Sequence, residues 1–171
     1  MKRDQQLTAS LPPLSWRDGA LAGFIATAPM TVFMLATQRF LPHGQRYTLP
    51  PEVITSDLAR RLHMRHHLTK RQLLAASLAS HFLYGAAMGA FYRPLSEKIS
   101  LPSPLKGGLF GLFVWAINYL GLLPLLGVPV SAPGEPLRRN LLMIGAHFVW
   151  GSGLGAITRL RNTISTSNPV A

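Results

Sequence analysis

The chain of 171 residues contains no cysteine, which excludes disulfides, thiolate metal sites and thiol nucleophiles together. Acid is nearly as scarce, with six Asp and Glu against seventeen Lys and Arg. Charged residues make up 13% of the sequence, where a soluble globular domain carries about 25%. A soluble helical bundle needs polar outer faces, so its charges recur at every turn. Here they are swept into short blocks between long uncharged runs, and the solvent those runs imply is lipid.

Other absences narrow the function. No Asp or Glu lies inside any long apolar run, which argues against a carboxylate-driven ion or proton pump. No serine elbow, phosphate-binding glycine loop, H-E-x-x-H pattern or catalytic carboxylate pair occurs, so nothing in the sequence supports an enzyme, a cofactor or a catalytic residue. The net charge of +11 would point to nucleic acid in a soluble chain. Basic residues flanking apolar spans instead act as topology signals and as contacts to the anionic headgroups of a bilayer, and no nucleic-acid motif accompanies them.

Four stretches lack Asp, Glu, Lys and Arg: Gly19 to Gln38, Gln72 to Tyr92, Gly107 to Gly134 and Asn140 to Thr158. About 20 helical residues at 1.5 Å rise cross a hydrocarbon core some 30 Å thick, so each is a candidate span. Ala26-Thr27-Ala28 has the look of a signal-peptide cleavage site, but Pro29 would follow the cut and the apolar run continues to Gln38, so this span is expected to remain. The expected organisation is one membrane domain: a polar segment 1–18, spans at 19–40, 72–92, 107–126 and 140–158, loops 41–71, 93–106 and 127–139, and a tail 159–171. Pro124, Pro129 and Pro133 should end the third helix near Leu126, and Pro136 should open the fourth. Pro29 and Pro124 each remove a backbone hydrogen bond and invite kinks. In the first loop, Pro50 and Pro51 precede acids, while Ile54, Leu58 and Leu62 recur every four residues beside Arg60, Arg61 and Arg65. This pattern predicts a short helix at about 51–65, lying in the membrane interface, with a solvated loop helix as the alternative.

An even number of spans puts both termini on one side. Lys and Arg do not say which: the terminal side holds eight and the other nine.

The sequence also repeats. His81-Phe82-Leu83-Tyr84-Gly85-Ala86-Ala87-Met88-Gly89-Ala90 and His147-Phe148-Val149-Trp150-Gly151-Ser152-Gly153-Leu154-Gly155-Ala156 share H-F-x-[aromatic]-G-x-x-x-G-A. The first and third spans open on Gly19/Gly23 and Gly107/Gly111. The fold expected is therefore an all-α four-helix bundle made of two tandem hairpins, a parallel two-plus-two repeat about an axis along the membrane normal. Glycines four apart share a helix face and allow close backbone approach. Gly19, Gly23, Gly85, Gly89, Gly107, Gly111, Gly151 and Gly155 are read as helix-packing residues within the chain, with a homodimer surface as the alternative.

His81 and His147, at equivalent places in the repeat, are the candidate functional residues, because an ionisable group at that depth must face protein or water. A hydrogen-bonded structural role and a proton- or ligand-responsive one both fit a neutral imidazole. Asn118 and Tyr119, with Thr27 and Thr31, are the polar residues that could share their interior. His63 and His67 could fall on one helical face beside His66, but with no Cys nearby and Arg65 between them they read as a solvated basic loop, and no metal is expected.

The opening G-A-L-A-G-F-I-A-T-A-P-M-T, the H-x-x-Y-G-x-x-x-G-x-x-Y of His81 to Tyr92, and Trp115, Tyr119, Gly121 and Pro124 resemble the YagU-type small bacterial inner-membrane proteins, from about Gly19 to Ala156. The resemblance implies a four-helix inner-membrane protein of uncharacterised activity and carries over no catalytic residue. The function expected is that of a non-enzymatic, acid- or stress-related membrane protein; a small oligomeric transporter or channel component, and last a lipid-modifying enzyme, are the alternatives.

Overall fold

A computed structural model describes residues 16–42, 46, 48–128, 130 and 132–167. Lys2, Arg3 and Pro129, which enter the sequence reading, lie outside them. The described residues form helices and connecting turns without a strand. Four helices are long and apolar enough to cross a membrane: α1 (Trp16–Gln38), α3 (Lys70–Ser96), α4 (Ser103–Leu125) and α5 (Leu137–Ser167, of which Leu137–Arg161 has the composition of a span). The chain is thus a multi-pass membrane protein built as a helical bundle. Large apolar side chains such as Val32, Leu83, Phe113 and Leu141 stand exposed on its outer faces, the arrangement a lipid solvent requires and water would penalise.

The helices overrun the uncharged stretches at several ends. α3 begins behind the Thr69 cap, whose side chain accepts from the backbone of Gln72 while Gln72 Oε1 accepts from Thr69 N, and it continues through Pro94. α4 starts at Ser103, directly after Pro102, with Pro104 in its first turn, where the missing N–H breaks no helical bond. It ends at Leu125, just after Pro124, with Pro133 in a separate short turn. α5 begins at Leu137, with Pro136 O accepting from Arg139 and Asn140 backbone amides, and extends past Thr158. Charged residues are tolerated in these extra turns because they lie toward the ends of the apolar windows.

α4 is not α-helical throughout. Ile117–Leu122 forms a wide turn in which Leu123 N donates to Asn118 O, five residues back. The turn ends two residues before Pro124, whose missing N–H leaves Leu120 O without its α-helical donor.

Glycine sets the closest helix pairs. A Cβ at Gly23 would fall on Gly85 O and 2.8 Å from Gly89 Cα, and one at Gly89 would meet Gly19 O, so α1 and α3 touch backbone to backbone. α4 and α5 do the same: a Cβ at Gly107 would lie 2.8 Å from Gly155 N and one at Gly151 2.9 Å from Gly111 N. All eight glycines of these pairs therefore face helices of their own chain. α1 and α5 form the central seam, where Ala26 packs on Gly153, Phe33 on Gly145, and Trp150 Nε1 donates to Gly23 O at 3.1 Å.

α2 (Pro50–Arg61) is shorter than the 51–65 expected, and Leu62 caps it. His63 follows with φ 58 and His67 sits in a separate short turn, so the two do not share a helical face. Ile54 packs against the core while Leu58 and Leu62 stand exposed. Asp57, buried, is paired with Arg60 and Arg61.

Candidate functional site

α3 and α4 approach each other at the end joined by residues 97–102, where Lys106 Nζ donates to Ser96 O at 2.9 Å. Away from that turn they are joined across by side chains: Tyr84 hydroxyl lies 3.0 Å from Asn118 Oδ1 and 2.7 Å from its Nδ2, and Nδ2 also donates to Val114 O. A half-open cavity of about 280 Å³ occupies the space between them. Its back wall is the α1–α5 seam, with Thr27, Met30, Met34 and Trp150, and Pro50, Pro51 and Ile54 of α2 cover one end.

His81 and His147 both line this cavity, from α3 and α5, as do Asn118 and Tyr119 from the wide turn. His147 is buried, and its Nδ1 lies 2.8 Å from Met143 O one turn earlier. A carbonyl only accepts, so in the neutral ring Nδ1 donates and Nε2 is left as an acceptor. Tyr119 packs edge-on against that ring at 84° and 5.8 Å between centroids, and is itself stacked on Trp115. His81 is held differently: its Nε2 is enclosed and has no hydrogen-bond partner among the described residues. Such an orphaned polar atom costs about 1–3 kcal/mol.

Thr27 turns its hydroxyl onto Gly23 O at 2.8 Å, the same carbonyl that Trp150 reaches. Thr31 bonds back to Thr27 O and does not line the cavity. Among the described residues, the lining includes no Lys, Arg, Asp or Glu. Sequence reasoning does not find Ser80 or Tyr84 as lining residues, because a single hydroxyl in an apolar helix gives no signal of which way it faces. Tyr84 is visible only as the aromatic of the H-F-x-[aromatic]-G pattern.

No group of three or more His, Asp or Glu close enough to hold a metal occurs among the described residues. Chemically, the site is a largely apolar chamber with two imidazoles and a few uncharged hydroxyl, amide and indole groups. Comparison with family models, curated proteins and solved structures gives no match to this chain.

Proposed function

We propose that this is a non-enzymatic protein of the bacterial inner membrane that holds a small, largely apolar molecule beside His81 and His147. The observation carrying this reading is the cavity between α3 and α4: it lies at the level of the spans, is open on one side, and is apolar but for a few uncharged polar groups. A chamber of that kind in an otherwise close-packed bundle favours an apolar occupant. The experiment is native mass spectrometry of the detergent-extracted protein. Wild type should carry a bound small molecule, and Val114→Trp, which fills the cavity from α4, should lose it while keeping its helicity. Wild type emerging without any adduct, or an adduct indifferent to the filled cavity, would overturn the reading.

The two hairpins are proposed to be related copies, supported by the shared His-to-Gly pattern and by the similar glycine contacts within each pair. Exchanging α1 with α4 and α3 with α5 makes the α1–α5 and α4–α3 contacts equivalent. One is packed and the other is opened into the cavity, so the site marks a departure from the repeat. Four crossings, an even number, would leave both termini on one side of the membrane, and that is part of the proposal.

Acid sensitivity is a second reading, favoured by two imidazoles in a lining without a carboxylate among its described residues. A proton added to either ring would put a cation there without a counter-charge, which is costly. Thermal unfolding in detergent should show wild type losing stability from pH 8 to 5, and His81→Gln/His147→Gln should flatten that dependence. Superimposable curves would remove the idea.

A further inference from the structure

The polar groups of the cavity specify the chemistry of what it takes, an inference that rests on the binding role proposed above. His147 Nε2 is an acceptor, because Nδ1 is committed to Met143 O. A ligand meeting it must bring a hydrogen-bond donor. His81 Nε2 also has no partner among the described residues, but it is enclosed and does not itself meet a molecule in the cavity. Most of the remaining polar side chains are engaged, Tyr84 with Asn118, Asn118 with Val114 O, Thr27 and Trp150 with Gly23 O, and Ser80 with Ser77 O, which leaves the Tyr119 hydroxyl beside His147 as a group that can donate or accept.

Charge excludes the commonest membrane headgroups. A phosphate or carboxylate brought into this apolar lining would find neither Lys nor Arg among its described residues to neutralise it. An ester or quinone carbonyl can only accept, which leaves His147 Nε2 unmet. A hydroxyl both donates and accepts. We infer that the cavity takes an uncharged lipid alcohol, its hydroxyl donating to His147 Nε2, its tail leaving between α3 and α4 into the bilayer. Size agrees: at about 30 Å³ for each water-sized group, 280 Å³ holds a head and the first carbons of a chain, and the rest must lie outside. Tyr84, which lines the cavity from α3 and is also exposed on the outer face, stands on the side where such a tail would pass.

Trp150 lines the cavity and serves as the reporter, once Trp16→Phe and Trp115→Phe have removed the other two tryptophans. The protein is reconstituted in phosphatidylcholine vesicles containing dibrominated octadecanol or its methyl ether, and quenching of Trp150 is followed against mole fraction. The alcohol should quench saturably, with half-effect at roughly tenfold lower mole fraction than the ether. His147→Phe should bring the alcohol to the ether's value, and His147→Gln, which keeps an amide in reach, should retain part of the preference. Saturable quenching of equal strength by both probes would overturn the hydroxyl assignment and leave the apolar binding role standing. Quenching that rises without saturation for both would overturn the two together.

Discussion

At the scale of single residues, glycine decides how close the helices come. Gly107 and Gly151 have no room for a Cβ, since each would meet backbone of the facing helix. Alanine at either should destabilise the protein by about 1–3 kcal/mol, the usual cost of forcing volume into a packed contact. Gly121, in the wide turn of α4, has nothing within 4 Å of its built Cβ. Gly121→Ala should therefore be neutral or slightly stabilising, and urea or thermal unfolding of the three variants in one detergent checks the contrast. Trp150→Phe removes the hydrogen bond to Gly23 O but leaves that carbonyl bonded to Thr27, so its loss should be smaller, about 1 kcal/mol. The spacing of these glycines is visible in the sequence because i and i+4 share a helix face. Which face each pair meets is not, because glycine carries no side chain whose polarity could choose a partner. The two intramembrane histidines are equally visible by their depth, while the bond from His147 to Met143 O depends on a rotamer that no pattern announces.

At the scale of elements, α2 is tied down by a few polar contacts. Asp57 holds Arg60 and Arg61, Arg61 also donates to Leu126 O at 2.8 Å, and Thr55 meets Ser80 at 3.1 Å. The last two join α2 to the end of α4 and to α3 across one end of the cavity. Asp57→Ala should free Arg60 and leave Arg61 held only through Leu126 O, and amide exchange in α2 should accelerate by at least tenfold while α1 and α5 stay protected. Unchanged exchange in α2 would show that Ile54 and the prolines suffice to hold it. The presence of this helix is legible from Pro50, Pro51 and the period of its apolar residues; its early end is less so, because nothing in Leu62-His63-Met64 forbids another turn. The wide turn at Ile117–Leu122 is not legible at all. Pro124 advertises a disturbed helix, but whether the disturbance becomes a bend, a break or a wider turn is decided by packing against the neighbouring helices.

At the scale of the whole molecule, four crossings are legible because bilayer thickness imposes a length and a composition on each span. The opening between α3 and α4 is not, since a cavity is a property of how spans are placed and both helices are as apolar as their packed neighbours. The site depends on the crossings: if any one helix lay along the surface, the cavity would face water and its lining would lose its meaning. The absence of native cysteine makes a direct test simple. Single cysteines replace the exposed residues Arg17, Lys98 and Arg159 at one end of the spans and Arg39, Arg71 and Arg138 at the other. Labelling with a membrane-impermeant maleimide in sealed, uniformly oriented vesicles should react with all of the first set and none of the second, or the reverse, and reach both only after permeabilisation. Any pair from opposite ends of one span that labels from the same side would contradict the four-crossing arrangement, and with it the intramembrane cavity.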